Sequence, residues 1–271
     1  VDPKQSINIF YALDGDAASP NYQLLKQNAT GLAYKWYPPV RGKKIRIRMT
    51  AQPAPSYLWA RSLGSPGLDT ARSVALDATQ NFVHVGGVFS DTLKVNTSTK
   101  PFPSYGARDA YVARFDSDGN LIWVQTAGGS GDEGTAAIVT DNADGIYATG
   151  HFTSKAVQFG STQLTLPPLD QINFFVARYD GTGNATWVRT GGGTTTSNGY
   201  AYADSIAYEN DSIYVYGHFK NKLRINGYPA SPGYLEINRA ASATTPPYKF
   251  TAAFDKAGNI GSLIEGYRVH K

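Results

Sequence analysis

The chain has 271 residues, of which 41% are hydrophobic, 17% charged and 13% aromatic, with a formal net charge of +4. That is enough apolar material for a substantial core and too little net charge for a disordered chain. There is no cysteine, which excludes disulfides, thiolate metal sites and a cysteine nucleophile. No apolar run approaches the roughly 18 residues of a membrane helix, and basic residues concentrate only over Arg41–Arg48, alternating there with Ile45 and Ile47. Neither membrane insertion nor a nucleic-acid partner is therefore expected. Met49 is the one methionine, so Val1 is not an initiator, and removal of a secretion signal is the expected reason.

Residues 1–58 carry no clear repeat but hold strand-like runs from Ile7, Leu32 and Lys44. From Trp59 onward the chain repeats itself. Trp59, Trp123 and Trp187 stand 64 residues apart, followed by Ala-Arg-Ser, Val-Gln-Thr and Val-Arg-Thr. Upstream of the second and third lie Tyr111-Val-Ala-Arg-Phe-Asp and Phe175-Val-Ala-Arg-Tyr-Asp, with a weaker copy from Phe250. Each runs into a turn ending at Asn120, Asn184 or Asn259. A further element recurs as Val83–Phe89, Ile146–Phe152 and Ile213–Phe219, preceded by Ser73–Asp77, Ala137–Asp141 and Ser205–Glu209. Fixed-period similarity with Gly, Asn and Asp between short β-branched or aromatic runs is the signature of stacked antiparallel strand units.

A four-stranded unit with one aromatic face cannot bury that face alone, and copies placed radially make a propeller. The expected fold is all-β, with antiparallel propeller-type blades of about 64 residues at 68–127, 131–190 and 198–262. The 59–271 propeller repeats follow a divergent β segment over 1–58, read as a fourth blade, a β-domain or an assembly arm. The second blade is expected to hold strands near 136–141, 146–152, 110–116 and 121–126, the last two contributed by the outer edge of the previous unit. The tryptophan is expected on the outer part of each blade or wedged between blades. The long segments 90–108, 153–172 and 220–247 read as extra edge hairpins or as binding loops. A propeller also needs its termini paired, so at least one strand of 1–58 should pair outside its own segment.

The recurring Ser-Ile-Ala-x-Asp, Ile-Tyr-x-x-Gly-x-Phe, Asp-Ala-Tyr-Val-Ala-Arg-Phe-Asp-x-Asp-Gly-Asn and Trp order resembles the bacterial SBBP beta-propeller repeat family. The resemblance covers about Trp59 to Ile260 and implies a secreted or cell-surface propeller. It implies no reaction and brings no catalytic residues.

The chemistry-bearing groupings are few. Gly129–Gly134 matches G-x-G-x-x-G, but a strand-like run follows it and Asp132 and Glu133 would repel phosphate, so it reads as an inter-blade turn. Asp116, Asp118 and Asn120 place hard oxygens at alternate positions, as calcium loops do, while lacking the closing acid. Hairpin-turn chemistry is the other reading, and calcium is the one cofactor considered. His151 and His218 share a repeat position and could converge on a metal, lacking a third ligand. Isolated carboxylates such as Asp14 and Asp16, or the adjacent Asp132 and Glu133, do not form an acid–base couple by spacing alone.

No catalytic constellation emerges. The expected function is a non-enzymatic extracellular adhesive, scaffold or filament-forming module, with self-association or other surface proteins as partners. The alternative is a glycan-binding, lectin-like propeller in which Tyr105, Tyr200, Tyr202 and Tyr228 stack on sugar rings. A propeller hydrolase or lyase is a third class, requiring acids that converge in the channel.

Overall fold

The computed structural model describes strands at 6–12, 22–29, 33–35 and 45–50, and then residues 59–95, 98, 100–165, 172–192, 199–228, 235–239 and 247–266. No helix occurs among the described residues, and every named element is a strand. The N-terminal ones are β1 (Ser6–Ala12), β2 (Tyr22–Ala29), β3 (Ala33–Lys35), β4 (Ile45–Thr50) and β5 (Leu63–Gly64). The first repeat supplies β6 (Thr70–Leu76), β7 (Phe82–Phe89), β8 (Thr92–Val95), β9 (Phe102–Pro103), β10 (Asp109–Asp116) and β11 (Leu121–Gly128). The second supplies β12 (Glu133–Thr140), β13 (Ile146–Phe152), β14 (Ala156–Phe159), β15 (Thr162–Thr165), β16 (Asn173–Tyr179) and β17 (Ala185–Gly192). The third supplies β18 (Tyr200–Glu209), β19 (Ser212–Lys220), β20 (Lys222–Tyr228), β21 (Leu235–Asn238), β22 (Tyr248–Asp255) and β23 (Ile260–Glu265).

Three antiparallel blades result, ordered β6-β7-β10-β11, β12-β13-β16-β17 and β18-β19-β22-β23. The fold is thus all-β with propeller-type blades. The second blade corrects one expectation. Its third and fourth strands are 173–179 and 185–192, whereas 110–116 and 121–126 belong to the first blade. The reason is hydrogen-bond valence: β10 already has β7 on one edge and β11 on the other, leaving nothing for β13 to pair with. The chain instead leaves β13, makes a hairpin, and returns as β16 along the edge of β13.

The hairpins cut from the long segments lie one blade back. β14 pairs with β11 of the preceding blade, β20 pairs with β17, and β8 pairs with β5. Their alternating apolar residues explain this. Leu93, Val95, Val157, Phe159, Leu223 and Ile225 are all buried, and the Phe159 ring meets Phe175 of its own blade at 5.1 Å. Each hairpin therefore extends one blade while filling the gap to the next.

Before the repeats, β1 lies between β2 and β4, and β3 pairs with β6 as Ala33↔Ala75, Tyr34↔Val74 and Lys35↔Ser73. A strand of 1–58 thus pairs outside its own segment.

Burial follows from position. The first strand of the second blade, β12, is buried at every residue because it packs against β6 and β7 on one side and β18 on the other. In β19 burial alternates strictly, as in a sheet covered on one face. Cross-blade bonds fix the register: Thr140 Oγ1 donates to the Leu76 carbonyl at 2.6 Å and the Ile138 N–H donates to Ser73 Oγ at 3.0 Å.

At the end of the strands where the Asp116, Asp180 and Asp255 turns lie, each described seam is closed the same way. Trp59 Nε1 donates to the Ser117 carbonyl at 2.8 Å, Trp123 to Gly181 at 3.1 Å and Trp187 to Lys256 at 2.9 Å. In all three the acceptor follows the aspartate that opens the next blade's turn. Two residues further on sits a glycine with positive φ: Gly119 at 75°, Gly183 at 91° and Gly258 at 81°. The indole lies on that glycine, and a Cβ at Gly183 or Gly258 would stand 2.8 or 2.6 Å from ring carbons. Glycine is required twice over here, for the left-handed backbone and for the ring seated on it. The tryptophan is both on the outer strand and wedged between blades.

Candidate functional site

The first strand of every blade carries a β-bulge at the same point: between Ala71 and Ser73, Thr135 and Ala137, and Ala203 and Ser205. The bulged residues are Arg72, Ala136 and Asp204. A bulge re-aims the extra side chain, and in the first and third blades that side chain is charged. The cross-strand pair one position further from the bulge also differs by blade: Thr70↔Val88, Gly134↔His151 and Tyr202↔His218. These positions meet across the seams. A Cβ on Gly134 would touch Val88 of the first blade and the His151 ring, with the Arg72 guanidinium 3.5 Å away.

From the third blade, Tyr202 enters between the two histidines. Its ring is 5.7 Å from His151 and 5.1 Å from His218, nearly parallel to the latter at 21°. Tyr200 stands edge-on to both Tyr202 and His218, at 5.7 and 6.0 Å. His218 Nδ1 lies 2.8 Å from the Asp204 carboxylate, and these two side chains retain 31% and 38% exposure. The site is thus a half-open cluster of two tyrosines, two histidines, Asp204 and Arg72, drawn from all three blades.

Its electrostatics are set by neighbours as well as burial. Burial first, then the positive Arg72 and Arg108, push the His151 ring down to about 4, against the opposing pull of Asp132. His151 is therefore neutral at pH 7. Asp132 is held below the usual carboxylate range chiefly by its hydrogen bonds from Arg108, a two-pronged contact at 3.1 and 2.8 Å. Burial, Tyr200 and Asp204 together raise the Tyr202 phenol.

The structure brings together Tyr200 and Tyr202 but not the other two tyrosines. Tyr105 is 53% exposed on the turn before Asp109, whose carboxylate accepts its backbone N–H. Tyr228 falls in β20, and its side chain lies outside the described residues. The two histidines are joined through Tyr202 rather than through a metal-like arrangement. Among the described residues, no group of three or more His, Asp or Glu side chains is placed to hold a metal ion.

Asp116, Asp118 and Asn120 lie at the opposite end, in the first blade's turn. The Asp116 carboxylate accepts from the backbone N–H of Asp118 at 2.9 Å, and from the backbone and side-chain N–H of Asn120 at 2.7 and 3.0 Å. Slight burial works against it, but the Asn120 bonds hold its carboxyl below the ordinary value. The same aspartate–asparagine bonding recurs in the Asp180 and Asp255 turns.

Asp132 and Glu133 part company, as their adjacency in a strand implies. Asp132 faces Arg108 at the surface, while buried Glu133 accepts N–H bonds from Gly129 at 2.7 Å and from Thr153 and Ser154 at 3.2 Å. The glycine-rich stretch before them is an inter-blade turn leading into β12. Asp14 and Asp16 lie outside the described residues.

Sequence reasoning missed Asp204 and Arg72. The signal was present in the repeat alignment, where a bulge position carries Arg, Ala and Asp in turn, but alternation counting does not register a bulge.

No family model matches the chain. A WD repeat-containing protein of Acanthamoeba polyphaga mimivirus, described as uncharacterized, is 27% identical over 168 residues. The match covers 58% of this chain and 12% of that protein. WD repeats are four-stranded propeller blades, so this likeness agrees with the blades described above.

Proposed function

We propose that this protein is a non-enzymatic repeat scaffold that acts by binding other proteins, and that it works in secreted form or at the cell surface as an adhesive or filament-forming module. The observation that carries this reading is the division of labour within each repeat. The recurring residues hold blade to blade, while the residues that differ between equivalent positions gather at the bulged ends of the first strands. A rigid frame presenting variable side chains at one end is how repeat proteins build recognition surfaces. The likeness to a WD repeat-containing protein supports a repeat scaffold. The motif order shared with the SBBP repeats supports an extracellular setting.

The cluster also favours a second reading, carbohydrate binding, because Tyr200 and Tyr202 remain only half-buried beside hydrogen-bonding groups. Both readings predict that the cluster is the binding surface. Protein immobilised on beads would be tested for retention of cells and of soluble polysaccharides, against a Tyr200→Ala/Tyr202→Ala/His218→Ala variant. Retention of cells that the variant loses supports the scaffold reading, and retention of polysaccharide supports the second. Equal retention by both proteins would place recognition away from this cluster and overturn the assignment.

A further inference from the structure

At the bulged end every blade presents the same four positions, two at the start of its first strand and two at the end of its second. In the first blade these are Leu68, Thr70, Val88 and Ser90, and in the second Asp132, Gly134, His151 and Thr153. In the third they are Tyr200, Tyr202, His218 and Lys220, facing each other as Tyr200↔Lys220 and Tyr202↔His218. The last of the four is structural in the first two blades. Ser90 Oγ accepts the Leu68 N–H at 2.8 Å, and Thr153 Oγ1 accepts the Asp132 N–H at 2.8 Å. Lys220 cannot serve in that way, because an ammonium has donors and no acceptor. It is partly exposed and belongs to none of the ion pairs among the described residues.

Negative charge drops out of the third blade at the same end. Where the first two blades bury Asp69 and Glu133, each accepting a turn N–H, the third has the fully buried Ala201. Where the first blade buries Asp109 beside Phe89, the third has Tyr248 beside Phe219. The carboxylate that remains in the cluster, Asp204, is engaged by His218 Nδ1 at 2.8 Å. The hydroxyls differ too. Tyr147 and Tyr208 donate theirs to Asp141 at 3.0 Å and Asp211 at 2.6 Å, whereas those of Tyr200 and Tyr202 make no hydrogen bond among the described residues. One step across the strands is about 5 Å and two residues along a strand about 7 Å, so the four positions cover roughly the footprint of one or two sugar rings.

Resting on the carbohydrate reading of this cluster, we propose that its ligand is an acidic saccharide, a chain of uronic acid units, with a ring stacked on Tyr200 and Tyr202 and its carboxylate at the Lys220 ammonium. Stacking on a phenol ring takes neutral and acidic sugars alike, so the tyrosines carry affinity and Lys220 carries the choice between them. The loss of carboxylates around Ala201 and Tyr248 removes the groups that would repel such a ligand. An acidic protein surface would satisfy Lys220 but would leave unexplained the two phenol hydroxyls beside it, which match the mixed donors and acceptors of a sugar.

The test is affinity electrophoresis of the full chain through gels holding polygalacturonate, alginate or hyaluronan, each beside its methyl-esterified form, which keeps the sugar and removes the charge. At least one acid polymer is expected to bind about five- to tenfold more tightly than its ester, the size of one partly exposed charge-assisted contact. Lys220→Gln should abolish that preference without lowering the melting temperature, and Tyr200→Ala/Tyr202→Ala should weaken binding of both forms. Equal binding of acid and ester, or a preference that survives Lys220→Gln, would overturn the acidic class while leaving the carbohydrate reading intact. Retention in none of the gels would overturn both. Poly-glutamate bound as tightly as the acid sugars, and lost with Lys220→Gln but not with the tyrosine variant, would show a site for acidic peptides, against the proposal.

Discussion

The two ends of the blades are built by opposite rules. At the turn end, Trp59, Trp123 and Trp187 repeat one geometry, donating to a carbonyl and lying on a positive-φ glycine in each seam. At the bulged end, equivalent positions carry Arg72, Ala136 and Asp204, or Val88, His151 and His218, and no two seams are alike. The turn end buries its aromatic rings in a contact that needs a particular backbone, so few residues are tolerated. The bulged end buries Val88 and Ala136 but leaves Arg72, His151, Asp204 and His218 partly exposed, where substitution costs less folding energy and can be directed to recognition. Stability should therefore reside at one end and specificity at the other.

The sharpest way to break this comparison is Trp123→Ala. Removing a buried indole together with its hydrogen bond should cost about 4 kcal/mol, read as a large fall in denaturation midpoint. Tyr202→Ala, at the bulged end, should cost well under half of that while abolishing any binding carried by the cluster. Equal destabilisation by the two would end the distinction.

Gly183→Ala comes next. Its φ of 91° and the Cβ position 2.8 Å from the Trp123 ring should together cost about 2 kcal/mol. Gly261→Ala is the matched control, since a Cβ there would meet only the Ala253 carbonyl, at 3.9 Å. A thermal melt comparing the two variants separates a backbone requirement from a general intolerance of alanine.

Acid titration sharpens the comparison from the core. Burial, and then Arg114 beside it, push His84 down to about 4, with Asp77 and the Ala75 carbonyl opposing. A base held neutral in the folded state binds its proton more readily when unfolded. Its contribution is therefore present above about pH 6.5 and lost as pH falls towards 4, amounting to about 2 kcal/mol between pH 7 and 5. Asp109 runs the other way. Burial raises it to about 6, with backbone N–H donors opposing and Glu133 adding to the rise, so acidification below 6 returns about 1 kcal/mol. His151, also pushed down to about 4, acts in the same sense, so net destabilisation at pH 5 is expected in urea titrations, and His84→Phe should reduce it without abolishing it. Greater stability at pH 5 than at 7 in the parent protein would contradict the buried neutral histidine. The second blade has Tyr147 in the corresponding place, its hydroxyl donating to Asp141 at 3.0 Å, so the first blade carries the acid-sensitive version of that position.

The smallest effect belongs to Arg108→Ala. The Arg108–Asp132 pair is 46% and 38% exposed, so its loss should cost less than about 1 kcal/mol and shrink further in high salt. A chemical-denaturation series at two salt concentrations suffices to measure it.

Much of the frame is legible in the sequence alone. The 64-residue spacing of Trp59, Trp123 and Trp187 reports a unit that must pack against copies of itself. The Asp-to-Asn turns report tight antiparallel connections, and the inter-blade turn at Gly129–Gly134 followed from the strand-like run after it. The candidate site was legible only in part. Tyr200 and Tyr202 stand two apart on one strand face, so their proximity follows from alternation alone. Asp204 was not legible, because a bulge breaks the alternation that would place it, and neither was the wedge of Tyr202 between histidines from two blades.

The sequence by itself determined what is local and periodic: strand content, turn chemistry, the repeat length and the glycines that turns require. These depend on contacts between residues near in the chain, and they recur because the repeat recurs. Only the tertiary structure decided which edge each strand occupies. Asp109–Asp116 could not join the second blade because β7 and β11 already satisfy both its edges. The hairpins beginning at Thr92, Ala156 and Lys222 extend the blade behind them rather than their own, since that is where an unpaired outer strand and an apolar gap coincide. Hydrogen-bond valence and the filling of space between sheets are properties of the assembled blades, and no single repeat contains them.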